Sequence, residues 1–263
     1  MKKRKLWIAI ILLILCLIFT IFFFVQLVLW HIDSQNTKKE VSEILDVTTL
    51  EEQEGKRIVY ADVTSTYQNE PFLNVEFSSL QEKNNEVVGW VQIPNTNIDY
   101  PFVKHNDNSF YLNHSFDKSY NQAGWPFLDY RNSNTFEDQN TIIYAHGRLD
   151  KTMFGSLRDT LNKNWWSDPS NYVVKVSTPS DNYVFEIFSV YHIKTTDDYL
   201  KTKILNGGEY QDFLTMLQNR SQVSFPAIIT TKNRILTLST CYNDEEKMVL
   251  HAKLIKQEKR EGY

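Results

Sequence analysis

The chain has 263 residues, 42% hydrophobic and 14% aromatic, with a formal net charge of −4. That mean covers two unlike parts: residues 1–30 carry Lys2, Lys3, Arg4 and Lys5 with no acid, and the remainder holds 24 Lys and Arg against 32 Asp and Glu, a net of −8. Two cysteines, Cys16 and Cys241, exclude a disulfide-stapled scaffold and a C-x-x-C redox or zinc module; the acidic bulk argues against a nucleic-acid binder, and the apolar content excludes disorder.

The first element is an apolar run, Leu6 to Trp30, LWIAIILLILCLIFTIFFFVQLVLW. At about 1.5 Å per residue a helix of this length reaches roughly 37 Å, enough to cross a hydrocarbon layer of about 30 Å. Trp7 and Trp30 stand at its ends, where amphipathic rings favour the interface, and the Lys2–Lys5 cluster predicts a cytoplasmic N-terminus with the bulk of the chain outside the cell. A cleaved signal peptide has a shorter apolar core and a small-x-small cleavage site. His31-Ile32-Asp33-Ser34 offers none, so an uncleaved anchor over residues 6–30 is expected, with residues 1–5 as a basic tail. Cys16 then lies in the span and Cys241 is the one thiol outside it.

Residues 31–74 are polar and read as a stalk with an N-terminal helical segment. Val41, Ile44 and Leu45 have the spacing of a short amphipathic helix. Beyond it the pattern turns to strands: Val87–Gln92 closed by Pro94-Asn95, Thr141–His146, Tyr172–Val176 and Tyr183–Ile193 around a turn-rich linker, Arg234–Cys241, and Lys247–Ile255. Glu209–Asn219, with Phe213, Leu214 and Leu217 at helical spacing, reads as a helix. Many strands with few helices predict a mainly β fold, a barrel or sandwich decorated by helices, in residues 75–263.

Chemistry concentrates where Arg234–Cys241 ends. Alternation puts Leu236, Leu238 and Thr240 on one face and Thr237, Ser239 and Cys241 on the other, which is polar. A hairpin through Tyr242–Glu246 brings Lys247 opposite Cys241. A thiol near pKa 8.5 needs a cation or a base to act as a nucleophile at neutral pH. Lys247 supplies charge. Of six histidines, His146 is the strongest base, because it ends a strand and precedes Gly147. His251 sits in mid-strand as a structural residue, His105 and His114 fall in a polar loop and are expected to be solvated, and His192 fits either role. Taken alone, a cysteine and a histidine 95 residues apart are a weak signal, and Cys241 reads more simply as a buried structural cysteine.

The strings around these residues add a family. Thr237-Leu238-Ser239-Thr240-Cys241 resembles the T-L-x-T-C signature of sortases, the membrane-anchored cysteine transpeptidases of Gram-positive bacteria. Asn140–Gly147 with Met153–Leu157, and the blocks Gly89–Thr96, Ile98–Pro101, Asp107-Asn108 and Phe127–Asn132, are similar to class B sortases in order and spacing, over about residues 75–257.

The resemblance implies an eight-stranded β-barrel with added helices. It implies that Cys241 attacks the carbonyl that follows the threonine of a C-terminal sorting motif, forming a thioester, while His146 moves protons to and from the amines. It implies as partners a surface or pilin protein bearing that motif and an amine nucleophile, from a peptidoglycan precursor or a pilin lysine, and no cofactor or metal. Ser239 matches a position along the family's substrate groove, and Asn108 and Leu112 match a four-residue spacing on another groove wall; Thr240 is a signature residue grouped with the substrate site, its face fitting support rather than direct contact, and Asn108 equally fits turn chemistry. One departure stands out: where the family carries an arginine, this chain has Lys247, which keeps the charge but lacks the forked donors. Arg131 and Arg148 are alternatives; Arg234, seven residues before Cys241 on the same strand, is roughly 23 Å away. A sortase-like scaffold that has lost catalysis is the competing expectation. The Trp165-Trp166 pair and Trp125 read as core or loop anchors rather than a recognition patch, and Tyr144 as a core residue.

Overall fold

The computed structural model describes residues 2–46, 58–61, 65–204, 206–241 and 245–260, with the side chains of residues 2–6, 9, 58 and 241 outside that description. The chain divides into two compact units, residues 1–40 and 41–263.

The first unit is helical. A single helix, α1, runs Lys2–Asp46, and its apolar part is long enough to cross a membrane. The expected short helix around Val41 and Ile44 is therefore not separate: it is the last part of α1, in the second unit, where Ile44 is 3% exposed and Val41 packs against the core. No glycine or proline occurs in the first 46 residues to break the helix.

The second unit is a closed barrel. After β1 (Ile58–Tyr60) and the short α2 (Ser78–Lys83) come β2 (Val87–Gln92), β3 (Asp99–Val103), β4 (Phe127–Leu128) and β5 (Asn140–His146). The short helix α3 (Lys163–Trp166) precedes β6 (Val173–Ser177) and β7 (Asp181–Lys194), and α4 (Gly207–Asn219) precedes β8 (Ile235–Cys241) and β9 (Glu246–Lys259). Strand order is β9-β7-β6-β2-β3-β4-β5-β8, and β8 pairs back onto β9, so eight strands close the ring, with β1 added outside on β9. Closure removes the open edges that a flat sheet exposes. The compact unit thus begins before residue 75, through Ile44 in the core and β1 on β9.

Alternation decides what fills the barrel and what covers it. Leu236, Leu238, Leu250 and Leu254 join Trp90, Phe102, Trp125, Phe136 and Phe154 in the main core. The intervening Ile235 and Val249 belong to a second cluster with Tyr210, Phe213, Leu214 and Leu217 of α4. Asn206 caps α4 by accepting the Glu209 N–H at 2.8 Å. Burying each of these side chains contributes about 1.5–3 kcal/mol. Trp125 and Trp165 are 1% and 5% exposed and Trp166 packs against the core, which agrees with their reading as anchors.

Three elements carried no clear pattern. β1 has three residues and β4 two, and β3 is interrupted by Pro101. Short strands and a strand proline are the features that local periodicity reads least well.

Candidate functional site

Two pairings set the site. β5 and β8 run parallel, with Tyr144 opposite Ser239, Ala145 opposite Thr240 and His146 opposite Cys241. β8 and β9 are antiparallel, with Cys241 opposite Lys247. Both strands that carry Cys241 and His146 therefore end at the same rim of the barrel, and the hairpin returns Lys247 to that rim. Residues separated by 95 positions in sequence become register neighbours through a parallel pairing, which needs a long crossover; here the crossover contains β6, β7 and α4. The thiol of Cys241 and the loop residues Tyr242–Asp244 lie outside the described residues.

His146 is held from across the rim. Its Nε2 is 2.7 Å from the carbonyl oxygen of Leu112. A carbonyl only accepts, so Nε2 carries the proton and donates. Leu112 closes a 3-10 turn, Phe110–Leu112, whose start is fixed by Asp107: its Oδ1 accepts from the Ser109 N–H and hydroxyl and from the Phe110 N–H at 2.6–2.8 Å. These bonds hold the Asp107 carboxyl down to about 2. On the other side, the loop after His146 is tightened by Gly155, where a Cβ would come within 2.1 Å of the Arg148 carbonyl oxygen, and Phe154 donates its N–H to the His146 carbonyl at 3.0 Å.

Beside the rim lies a cavity of about 250 Å³. Asn108, Leu112, Ser239, Thr240 and Lys247 all line it, so the structure gathers the five residues singled out beside the Cys–His pair into one place. It also adds Tyr144 of β5, expected as a core residue and packed partly against the core, and Tyr199, Leu200 and the turn Thr195–Asp197, which sequence reasoning misses because the segment between β7 and α4 has no periodicity. Asn108 does turn chemistry as well, its Oδ1 accepting the Tyr130 N–H at 2.9 Å.

The polar face of β8 is not an open groove along its length. Thr237 and Ser239 are 0% and 3% exposed, covered by the segment before α4 and by the second cluster. The Tyr199 and Ser239 hydroxyls are 2.9 Å apart. Thr237 donates to Asn140 Oδ1 at 2.6 Å, so it must accept from His251 Nδ1 at 2.9 Å; His251 Nε2 then accepts from the Tyr191 hydroxyl at 2.9 Å. Burial pushes the His251 imidazole down to about 3, so it stays neutral, as a structural residue should.

A buried ion pair underlies the cavity. Asp129 is 0% exposed and accepts from Arg131 N and Nε at 2.9 Å, Arg131 Nη2 at 2.7 Å and the Tyr144 hydroxyl at 2.9 Å. Burial alone would raise its carboxyl; the bonds from Arg131 and Tyr144 outweigh it and hold the carboxyl below the usual range. Tyr144 is raised by burial and by Asp129 and remains a phenol. Arg131 Nη2 also reaches the Leu200 carbonyl at 3.1 Å, tying the pair to the far wall. The other arginines weighed for the rim are spent on partners: Arg148 on Asp150 at 3.1 Å, Arg234 on the Phe136 carbonyl at 2.9 Å and on Gln257 at 3.0 Å.

His105, His114 and His192 also have partners. His105 and His114 are half-buried rather than fully solvated; both stack on Phe110, at centroid distances of 4.5 and 3.9 Å. A loop histidine gives no sign of this in sequence, because its partner is set by the turn. His192 faces Glu246 at 3.0 Å. Among the described residues no cluster of His, Cys, Asp and Glu has the arrangement of a metal site.

With this geometry in hand, similarity is informative. Residues 91–255 match the family model described as the Sortase domain. The chain is 36% identical over 184 residues to Sortase B of Listeria monocytogenes, covering 68% of this chain and 74% of that one. A crystal structure of sortase B from Bacillus anthracis in complex with AAEK1 superposes with a TM-score of 0.70 at 31% identity, over 86% of this chain and 99% of that one. A Staphylococcus aureus sortase B–substrate complex gives a TM-score of 0.64 at 33% identity, over 68% and 84% of the two chains.

Proposed function

Because the chain belongs to the sortase family of cysteine transpeptidases, we propose that it is a membrane-anchored, class B-like sortase acting through Cys241, His146 and Lys247. The carrying observation is the register that makes Cys241 the neighbour of both His146 and Lys247 at one barrel rim, beside a cavity.

The Cys241 sulfur, as the thiolate after its proton has passed to His146, attacks the scissile carbonyl of a sorting motif, and the carbonyl electrons move onto oxygen. Lys247 balances that negative charge. The intermediate collapses, the C–N bond breaks, and His146 gives a proton to the departing amine, leaving a thioester on Cys241. An incoming amine then attacks the thioester, His146 takes its proton, and the sulfur leaves as the new amide forms. Lysine in the family's arginine position gives a point charge rather than a fork. Supporting this assignment, the Arg148, Arg131 and Arg234 side chains are held by Asp150, Asp129 and the Phe136 carbonyl.

The motif lies in the cavity against Ser239, Thr240, Asn108 and Leu112. The substrate complex of the Staphylococcus aureus relative supports a peptide ligand of this class. Residues 6–30 anchor the enzyme with its N-terminus in the cytoplasm, residues 31–74 form the connection, and residues 75–263 carry the chemistry outside the cell. The acceptor is an amine of a peptidoglycan precursor or of a pilin lysine. A transfer assay with the 263-residue chain, a sorting-motif protein and each amine separately decides between them. Wall anchoring predicts conjugates with the peptidoglycan-like amine, whereas pilin ladders with no such conjugate reject it. Absence of cleavage in both assays contradicts the proposed activity.

A further inference from the structure

Two histidines left unassigned by the chemistry frame a third aromatic ring. His105 lies on one side of Phe110, at 4.5 Å and an interplanar angle of 24°, and His114 on the other, at 3.9 Å and 9°. His114 Nδ1 sits 2.7 Å from the Phe110 carbonyl, so it donates there. His105 Nδ1 is 3.1 Å from Glu86 Oε1, and its Nε2 is 3.9 Å from Asp107. Lys118 also reaches Glu86, at 3.3 Å, and Tyr111 donates to it at 2.6 Å. Tyr120 meets His114 edge-on at 6.3 Å. The three-ring stack is thus pinned at both ends by hydrogen bonds or charge.

The stack holds the turn that holds His146. Phe110 opens the 3-10 turn, and Leu112 closes it with the carbonyl that accepts from His146 Nε2 at 2.7 Å. The neighbouring Tyr111 is 1% exposed and carries the core packing of the turn. Phe110, His105 and His114 are only half-buried, so substitutions there disturb the barrel core less than one at Tyr111. Asp107 fixes the start of the same turn.

We propose that the His105–Phe110–His114 stack is a positioning device for His146: it presents the Leu112 carbonyl so that the imidazole proton stays on Nε2 and Nδ1 faces the reacting groups. This rests on the role of His146 given above. The physical argument is one of valence. With a fixed acceptor at Nε2, the neutral ring has one tautomer, and proton transfer occurs through one nitrogen. The same carbonyl favours the imidazolium, because a hydrogen bond from a charged donor is stronger than one from a neutral donor. If the turn rotates, the tautomers mix and the imidazolium loses its support, so His146 titrates at lower pH. Among the described residues, the charged groups around that rim include Lys247 with Glu245 and Glu246 at the start of β9, Asp197 in the cavity wall and the Arg148–Asp150 pair, none of which lies on the turn.

The test uses the 263-residue chain in lipid nanodiscs with ¹⁵N-labelled histidine, together with Phe110→Leu and Phe110→Tyr. Phe110→Leu keeps apolar bulk but removes both stacking faces; Phe110→Tyr restores them. In Phe110→Leu the His146 Nε2–H resonance gives way to a tautomer mixture, kcat falls about tenfold, a fraction of the range that general acid–base groups contribute, and the His146 limb of the pH–rate profile moves to lower pH. Phe110→Tyr behaves as wild type. If Phe110→Leu does not fold, His114→Asn, which keeps a donor for the Phe110 carbonyl and removes the ring, gives the same readouts. A wild-type tautomer in the folded leucine or asparagine variant overturns the proposal. A mixed tautomer with undiminished turnover overturns the catalytic role of His146 and leaves the hold of the stack on its ring intact, so the two failures are distinguishable.

Discussion

Replacing Arg131 with Ala probes the charge buried beneath the cavity. Asp129 is fully buried, whereas the Arg131 side chain is 40% exposed. The substitution removes the Nε and Nη2 bonds, at 2.9 and 2.7 Å, and leaves the carboxylate with one backbone N–H and the Tyr144 hydroxyl. Stripping one partner from a buried pair costs about 3–5 kcal/mol. Water enters where a partly exposed guanidinium leaves, and that reduces the loss to about 2 kcal/mol. For a unit of this size, the melting temperature falls by roughly 4–8 °C. The pH dependence carries a sign. The Asp129 carboxyl is held below its usual range in the folded protein, so its contribution is present above the unfolded value, near about 3.9, and is lost as pH falls through the folded value. The gap between wild type and Arg131→Ala is therefore largest at neutral pH and narrows below about pH 4. Arg131→Lys falls between them, because an ammonium keeps the charge but loses the fork. The variant also frees the Leu200 carbonyl, so KM for a sorting peptide rises more than kcat falls. Thermal unfolding at pH 7 and pH 3 is the assay. Equal melting temperatures at pH 7, or a deficit that persists undiminished at pH 3, would show that Arg131 does not stabilise the buried Asp129 carboxylate.

Two further predictions concern single residues. Lys247→Ala lowers kcat/KM by about a hundredfold, in line with the loss of one oxyanion-stabilising group, while Lys247→Arg keeps activity; equal rates for wild type and Lys247→Ala in a peptide-cleavage assay would remove Lys247 from the chemistry. His251, pushed down to about 3 by burial, stays neutral when folded and binds a proton near about pH 6.5 when unfolded, so stability falls as pH drops between those values. His251→Gln flattens that part of the profile, at a cost of about 1–3 kcal/mol for polar groups of Thr237 and Tyr191 left badly paired, read from urea midpoints at pH 7 and pH 5.

The legible parts of this fold are those where one residue's neighbours in sequence decide its environment. Leu236 and Leu238 enter the core because β8 alternates, and Phe213, Leu214 and Leu217 face one side because α4 has a helical period. His146 and Cys241 were recognisable as strand ends with reactive side chains, and the motifs around them named the family. What stayed hidden depends on pairings distant in the chain. The covering of Ser239 by Tyr199 spans 40 residues, and the tie from Arg131 to Leu200 spans 69. The stacking of His105 and His114 on Phe110 is short in sequence, yet it depends on a 3-10 turn that no periodicity announces. The spacing at Val41–Leu45 predicts a helix and the stretch is helical; its continuity with the apolar run is not legible because composition changes sharply at residue 31 while the backbone does not.

Transfer through Cys241 requires a thioester between its sulfur and the sorting substrate. Intact-mass spectrometry of the 263-residue chain incubated with a sorting-motif peptide, without an amine acceptor, tests it directly. The expected adduct adds the mass of the N-terminal peptide fragment less one water, is located at Cys241, is released by hydroxylamine and is absent in Cys241→Ala. Cleavage of the peptide by Cys241→Ala at the wild-type rate, or wild-type turnover with the acyl group on another residue, would contradict it.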